Sequence, residues 1–323
     1  MAVLGGIEFG GTKTVCVVGR PGEVLDEVRF ATGDDPAATL RRCVEFFQQK
    51  GPLEAIGVGA FGPCDPDPSS PTYGFVTTTP KPGWTNFDVL GALRSGLPDV
   101  ALAFDTDVNV AALGELEHGA GRGLNSLVYL TIGTGIGGGL IADGQLVHGL
   151  MHPEMGHIRI PRPMAEVAQF DGVCPYHGDC LEGVASGPAL AARWGSPAQD
   201  IGVEDERHAA MWQLEAEYLA VALHAFVCTV SPQRIVVGGG VGQQEFLLSR
   251  VRGLLQVSLA GYIHEAAILS DIDSYVVPPL LGSQSGGIGA IELALRAHGE
   301  QMVPAQHLVS QESADPSDPV GAA

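Results

Sequence analysis

The segment LGGIEFGGTKTVCVVG, residues 4–19, sets two apolar stretches around the turn Gly10-Gly11-Thr12-Lys13. Apolar runs joined by a glycine turn predict two paired β-strands. A second segment, SLVYLTIGTGIGGGLIADGQLVHG at residues 126–149, again predicts strand, glycine turn and strand. The sequence therefore predicts two domains that open in the same way.

The rest of the chain alternates helical and strand patterns, which indicates an α/β protein. Two long segments without clear periodicity, residues 62–86 and 152–182, interrupt this alternation, and loops of such length inside a compact domain are often functional. We predict helices over 36–50, 87–95, 107–118, 205–230 and 243–260, and further strands over 23–30, 53–62, 100–105 and 234–239.

Composition excludes several classes of protein. The 323 residues are 45% hydrophobic, which is enough for two modest cores. The net charge is −20 and the 17 basic residues are scattered, so we expect no nucleic-acid partner. No apolar run approaches the roughly 20 residues that span a bilayer, and MAVLGGIEFG lacks the features of a signal peptide. We therefore expect a cytoplasmic protein without a membrane partner.

Three glycine turns are candidate phosphate sites, because backbone N–H groups converge best where no side chains intervene. None matches GxxxxGK[ST], and a single turn of this kind is more typical of a hairpin. Two of the turns open similar strand pairs in separate domains, which favours a nucleotide in the cleft between the domains. The expected contacts are Gly10, Gly11, Thr12, Lys13, Thr131, Gly133, Thr134, Gly135, Gly137, Gly238, Gly239 and Gly240.

The stretch AFDTDVNVAALGELEHG places three polar side chains where a strand ends and a helix begins. Carboxylates at a helix N-terminus cap free N–H groups, and we expect this role for Asp105. Asp107 lies at the carboxyl end of the strand, where α/β sheets bind ligands. We therefore take Asp107 as the candidate general base that accepts a proton from an attacking hydroxyl.

Four metal-ligating residues, His157, Cys174, His177 and Cys180, are spaced H-x16-C-x2-H-x2-C. Zinc favours four nitrogen and sulfur ligands in tetrahedral geometry, and close pairs let one loop supply several of them. The spacing therefore predicts a structural zinc site, because four protein ligands leave no open position for catalysis. We expect the nearby His148 and His152 to be loop or surface residues.

Taken together, these motifs resemble the ROK sugar kinases of the actin-like ATPase superfamily over roughly residues 3–298. The resemblance rests on GGIEFGGTKT, DTDVNVAALGE, TIGTGIGGGLI, HPEMGHI, CPYHGDCLEGVASGPAL and VVGGGV. The subset EFGGTK, TPKPGWTNFD and TDVNVAALGE is most similar to the bacterial fructokinase branch of that family.

The resemblance implies two actin-like, ribonuclease H-like domains with mixed five-stranded sheets, and nucleotide and sugar bound in the cleft between them. It also implies a homodimer. We accordingly expect an N-terminal domain over 1–118, a C-terminal domain over 119–285 with the zinc insert 152–182, and a helix over 286–298 that packs back on the first domain. The polar, aperiodic end of the chain predicts a disordered tail over 299–323.

The resemblance further implies ATP-dependent phosphorylation of the 6-hydroxyl of a hexose with Mg²⁺, with fructose the expected sugar. The base of the family falls on Asp107, its zinc site on the four ligands above, and we expect Glu8 to act near the magnesium ion. The implied sugar contacts are Glu154, His157 and Glu182, together with Asn86 and Asp88.

The sequence departs from many family members at two positions, Glu8 in place of Asp and Thr106 in place of Asn. The second departure removes an amide that binds sugar in glucokinases, and both departures are typical of fructokinases. A kinase of glucose, mannose or an N-acyl amino sugar is the first alternative. A sugar-responsive repressor is the second, but its N-terminal helix-turn-helix has no room before the first strand.

Overall fold

The computed structural model describes residues 3–162 and 164–302. The elements of the first part are β1 (Leu4–Phe9), β2 (Lys13–Arg20), β3 (Glu23–Ala31), α1 (Pro36–Gln48), β4 (Ala55–Ala60), β5 (Phe75–Val76), β6 (Phe87–Asp88), α2 (Val89–Gly96), β7 (Ala101–Thr106) and α3 (Asp107–His118). Five strands form a sheet in the order β3-β2-β1-β4-β7. β1 is antiparallel to β2 and parallel to β4. We call residues 3–106 the first lobe.

The second part builds a sheet of the same plan. Its elements are β8 (Leu127–Ile132), β9 (Ile136–Ala142), β10 (Gln145–Leu146), α4 (Met164–Val167), α5 (Leu181–Ala185), α6 (Gly187–Trp194), α7 (Arg207–Val230), β11 (Arg234–Gly238), α8 (Gly239–Gly242), α9 (Glu245–Leu259), α10 (Ala266–Leu269), α11 (Ile272–Tyr275), β12 (Val276–Val277) and α12 (Ser285–Met302). The strand order is β10-β9-β8-β11-β12. We call residues 127–281 the second lobe. The prediction of two mixed five-stranded sheets is confirmed.

Two helices cross between the lobes. α3 follows the first sheet but packs on β8 and β9 of the second, whereas α12 follows the second sheet but packs on β1 and β4 of the first. The two helices contact each other at Gly289, where a Cβ atom would overlap the Val110 carbonyl oxygen. This crossing therefore depends on a residue without a side chain, and it brings the start of α12 beside the start of α3.

The long segment 62–86 is held on the first lobe. Trp84 is fully buried, and its indole Nε1 donates a hydrogen bond to the Gly33 carbonyl at 3.0 Å. Its ring packs edge-on against Phe61, with 5.1 Å between the ring centroids. In the same segment the Tyr73 hydroxyl accepts the Phe104 N–H at 3.0 Å, so the segment also packs beside β7.

The last helix extends further than the sequence indicates. It includes residues 299–302, so the prediction of a disordered tail is wrong for these four positions. The remainder of the predicted tail, residues 303–323, lies outside the described residues. Across the ranges that the structure describes, every helix is too short or too polar to cross a membrane.

Candidate functional site

Residues of both lobes line a cavity of about 240 Å³. Lys13 reaches this cavity from the first lobe, Thr131 from β8, and Gly240 from α8. The carboxylates of Glu8 and Asp107 line the same space. The other lining residues are Val108, Ala111, Tyr129, Gly239, Gln243, Gly282, Ser283, Ser285 and Gly286. We call it the cleft cavity.

Asp107 occupies the first turn of α3, directly after β7. Its Oδ1 accepts a hydrogen bond from the Val108 N–H at 2.9 Å. Burial, followed by the negative charge of Glu8, raises the pKa of Asp107 to about 7. A carboxyl group whose pKa lies near neutral pH is well suited to take a proton from an attacking hydroxyl.

Glu8 lies in β1, and burial raises its pKa while the positive charges of Lys13 and Arg29 oppose that shift. Its side chain lies against Gly286 at the start of α12, where a Cβ atom would overlap the carboxylate. Two acidic groups on one cavity provide the oxygen ligands that Mg²⁺ prefers. These residues therefore fit a magnesium ion.

The predicted cap at the start of α3 is wrong in its detail. Thr106, not Asp105, caps the helix, because the Thr106 hydroxyl accepts the Asn109 N–H at 3.0 Å. Asp105 is buried and accepts instead from the Thr106 N–H and from Asn109 Nδ2, each at 2.7 Å. Its second carboxylate oxygen lies 2.9 Å from His148 Nε2 in the second lobe. His148 is thus engaged in a contact between the lobes.

His148 and His152 both lie in a loop, as expected, but His152 is not a surface residue. Its side chain is buried, and its Nε2 accepts the Cys64 N–H of the first lobe at 3.2 Å. Its Nδ1 lies 3.6 Å from Glu154 Oε1. That oxygen is buried and has no hydrogen-bond partner among the described residues. Burial, and then the charge of Glu182, raise the pKa of Glu154 to about 7.

An unpaired buried oxygen costs free energy, and a ligand hydroxyl that donates a hydrogen bond to Glu154 would remove that cost.

Glu182, which is also one of the predicted sugar contacts, has a partner in the protein. Its Oε2 accepts the Ile136 N–H at 2.9 Å, so the carboxylate lies against the glycine turn between β8 and β9. A Cβ atom at Gly135 would lie 2.8 Å from that oxygen. Glu182 therefore supports the turn from the zinc insert.

The four predicted zinc ligands come together, with one ligand atom of each within 4.8 Å of every other. Nδ1 of His157 lies 3.3 Å from Nδ1 of His177 and 3.4 Å from Sγ of Cys180. Sγ of Cys174 lies 3.6 Å from Nδ1 of His177. Tetrahedral zinc, with bonds of about 2.0–2.3 Å, separates its ligands by roughly 3.3–3.8 Å. The cluster therefore fits zinc in both donor type and spacing.

The two ring nitrogens of His157 lie near different partners. Its Nδ1 points into the cluster, and its Nε2 lies 4.0 Å from Glu154 Oε2. Ligand histidines in metal sites commonly present their second nitrogen to a carboxylate, which fixes the orientation of the ring. The cluster and the carboxyl group of Glu154, whose Oε1 is buried, are thus adjacent.

A second cavity, of about 770 Å³, shares Gly240 with the cleft cavity and extends into the second lobe. Three aromatic rings line it, and the Trp212 and Phe246 centroids lie 5.1 Å apart. Sequence reasoning missed these residues, although His208 and Trp212 are one turn apart on α7 and Phe246 is the second residue of α9. The other lining residues are Gly133, Thr134, Gly187, Pro188, Ala191, Pro197, Ala198, Gln199, Ile201, Val241 and Gln244.

The remaining predicted nucleotide contacts lie in the turns themselves. The Gly10 N–H donates to the Lys13 carbonyl at 2.9 Å, and Gly11 and Thr12 are exposed at the tip of that turn. Gly137 lies against Val108 of α3, and Gly238 ends β11 against the hydroxyl of Tyr129.

The two sugar contacts predicted in the long segment have other partners. Asp88 caps α2, because its Oδ1 accepts the Gly91 N–H at 2.6 Å. Asn86 is exposed and has a φ of 54°, directly before β6. Contact of either residue with a sugar stays a prediction.

Comparison with known proteins adds to this geometry. The profile of the ROK family matches residues 4–297. A Bacillus subtilis protein named "Putative fructokinase" is 46% identical over 91% of this chain and 96% of its own length. The fructokinase of Pediococcus pentosaceus is 39% identical over 91% of this chain and 98% of its own. A ROK family glucokinase from Streptomyces griseus, solved with glucose and AMPPNP, has a TM-score of 0.73 at 24% identity, covering 91% of this chain and 99% of its own.

Proposed function

The chain belongs to the ROK family, and we propose that it is an ATP-dependent kinase that phosphorylates the 6-hydroxyl of fructose. The observation that carries the proposal is Asp107, a carboxyl group with a pKa of about 7 on the cavity that Lys13 of the first lobe and Gly240 of the second also line. Relatives named as fructokinases, at 39% and 46% identity over nearly their whole length, support fructose as the sugar.

In the proposed reaction, Asp107 orients the 6-hydroxyl and accepts its proton. The hydroxyl oxygen forms a bond to the γ-phosphorus, and the bond from that phosphorus to the β–γ bridging oxygen breaks, leaving ADP. Lys13 and Thr131 line the same cavity and stabilise the charge on the transferred group. Such transfer depends chiefly on positioning and on stabilisation of charge.

The sugar lies, in this proposal, between the start of α3 and the zinc insert. Glu154 supports this placement, because its Oε1 is a buried acceptor that has no partner in the described part of the chain. His157 is adjacent to Glu154, and the charge of Glu182 contributes to the raised pKa of Glu154. Glu182 contributes mainly by holding the glycine turn at Ile136. Asn86 and Asp88 remain proposed contacts at the rim.

The nucleotide extends from the cleft cavity into the larger one. Its phosphates lie on the turns at residues 10–13 and 133–138, and its base and ribose lie near Gly240 against Trp212 and Phe246. The shared residue Gly240 supports this path, since it lines both cavities. Aromatic faces are suitable partners for the flat surface of a base.

Two metal ions belong to the proposal. When bound beside Glu8, Mg²⁺ would neutralise charge on the phosphates. Zinc is structural and is held by His157, Cys174, His177 and Cys180, whose spacing fits a tetrahedral site. This site orders the insert that carries Glu182, while Asp107 performs the proton transfer.

A sugar panel tests the proposal directly. Purified protein with Mg-ATP is offered fructose, glucose, mannose and N-acetylmannosamine, and ADP release is measured for each. We expect fructose to give the highest kcat/KM, and Asp107→Ala to lower kcat for fructose by about 10²–10⁴-fold. Asp99→Ala, at an exposed loop position, is the matched control. Near wild-type turnover of Asp107→Ala would remove Asp107 from the mechanism, and a clear preference for another sugar would replace fructose.

The proposal includes a homodimer in the cytoplasm, which rests on membership of the ROK family. Sedimentation equilibrium tests the dimer. A mass equal to one chain of 33.5 kDa would contradict it.

A further inference from the structure

Two histidines of the second lobe contact the first lobe. His148 meets Asp105 at the end of β7, with 2.9 Å between Nε2 and Oδ2. His152 meets the backbone N–H of Cys64 at 3.2 Å. Both histidines lie in residues 147–154, the segment that ends at Glu154, and we call it the bridging segment. The proposed reaction gives neither histidine a role.

The Asp105 carboxylate contacts His148 through one oxygen and the start of α3 through the other. Asp105 is 3% exposed, and its Oδ1 accepts from the Thr106 N–H and from Asn109 Nδ2, each at 2.7 Å. Oδ2 remains for His148, so both oxygens have partners. The residue bonded to Asp105 through its backbone, Thr106, is also the N-cap of the helix that Asp107 begins. The orientation of one buried carboxylate is therefore coupled to the position of Asp107.

The imidazole of His148 is the part of this arrangement that comes from the other lobe. Its hydrogen bond to Asp105 raises the pKa of His148, which favours a ring that donates from Nε2. Only about a third of the His148 side chain is exposed. A charge-assisted hydrogen bond to a buried carboxylate is among the stronger polar contacts in proteins, so it can fix a separation between lobes.

We propose that His148 is a positioning residue that holds the first turn of α3, and with it Asp107, at a fixed separation from Glu154 on the bridging segment. The inference rests on the proposed function, in which Asp107 is the base and Glu154 binds the sugar. A displacement of about 1 Å in such a pair costs on the order of 10²-fold in rate. Loss of the contact should therefore lower kcat without weakening the nucleotide site.

The geometry provides a matched set of variants. In His148→Gln, the side-chain amide nitrogen can reach the place of Nε2 and donate to Asp105. In His148→Asn, the side chain carries the same amide group but is shorter. Its nitrogen corresponds to Nδ1 of the histidine, so it does not reach Asp105. His148→Ala removes the donor altogether. Asp105→Asn replaces one acceptor oxygen by a donor. The double variant Asp105→Asn/His148→Ala tests whether the two substitutions lower kcat by removing the same interaction.

We expect kcat for fructose to fall about tenfold or more in His148→Ala and His148→Asn, with KM for ATP within about twofold of the wild type. His148→Gln should stay within about threefold of the wild type, and the double variant should be no worse than the poorer single variant. Equal turnover of His148→Ala and the wild type overturns the inference. Equal loss in His148→Gln and His148→Ala overturns it as well, because the donor would then be irrelevant.

Hydrogen exchange of the full-length protein separates this inference from the proposed function. The amides of Thr106 and Asn109 should exchange at least about fivefold faster in His148→Ala and His148→Asn than in His148→Gln, because the first turn of α3 loses its anchor. A wild-type protein without sugar kinase activity would refute the proposed function alone. Unchanged exchange at these two amides would refute the positioning role, whatever the activity.

Discussion

The rate of fructose phosphorylation should fall steeply below neutral pH. Asp107 must be ionised to accept the proton, and its pKa is raised to about 7 by burial and by the charge of Glu8. The ionised fraction is therefore about a half at pH 7 and about a tenth at pH 6. We expect kcat/KM to follow this fraction, since kcat/KM reports the pKa values of the free enzyme.

The variant Glu8→Gln tests the second cause of that shift. It removes a negative charge while leaving a side chain of similar size beside Gly286, so burial and the charge of Glu154 would remain to raise the pKa of Asp107. The acidic limb should move to lower pH. The assay is kcat/KM for fructose between about pH 5 and pH 9, with ADP detected directly and Mg²⁺ saturating at each point.

Melting curves give a check that does not depend on catalysis. Because the pKa of folded Asp107 lies above its ordinary value, the neutral group favours the folded state. That contribution is complete below about pH 4 and is lost as the pH rises through about 7. Asp107→Asn, which stays neutral, should therefore melt higher than the wild type at pH 8 and equally at pH 4. A flat rate profile between pH 6 and pH 8, or a limb moved upward by Glu8→Gln, refutes the reasoning.

Three further outcomes follow from the geometry. Metal analysis should find about one zinc per chain, and Cys180→Ser should lower zinc retention and melting temperature together; full retention would remove Cys180 from the site. Phe246→Ala should raise KM for ATP several-fold and leave KM for fructose unchanged, because Phe246 lines the 770 Å³ cavity. An equal rise in both constants contradicts that assignment. Gly289→Ala should lower the free energy of unfolding by about 1–3 kcal/mol in denaturant, because its Cβ meets the Val110 carbonyl. An unchanged free energy of unfolding would mean that α3 and α12 can move apart without cost.

The features that the sequence predicted correctly are those encoded locally. Apolar runs around Gly10–Lys13 and Gly133–Gly138 predict paired strands, and both pairs form. The spacing of His157, Cys174, His177 and Cys180 predicts one ligand cluster, and the four side chains converge. Each of these patterns depends on neighbours in the chain, so a single sequence contains the required information.

The errors concern side chains whose partners are distant in the chain. Asp105 and Thr106 are both good caps by residue type. Asp105 is instead held by the Thr106 N–H, the side-chain amide of Asn109 and the imidazole of His148, and the last of these partners is distant in the chain. The aromatic cavity was missed for the same reason, since Trp212 on α7 meets Phe246 on α9 only after folding. Tertiary contacts decide such cases, because local propensities differ by about 1 kcal/mol or less.

The shared plan of the two sheets explains why the cleft cavity has an acidic wall on one side only. Glu8 precedes the last residue of β1, and Thr131 precedes the last residue of β8, so the two occupy equivalent places before equivalent turns. Both side chains line the cleft cavity. The repeated architecture thus delivers two side chains to one space, and the residue type at each place sets the chemistry. A carboxylate in the first lobe can act on a metal ion, whereas a hydroxyl in the second adds a donor without repelling phosphate. Exchange of the pair, as Glu8→Thr with Thr131→Glu, should therefore leave the melting temperature close to that of the wild type and abolish ADP release, because the carboxylate would then lie in the second lobe, away from the proposed magnesium position beside Glu8.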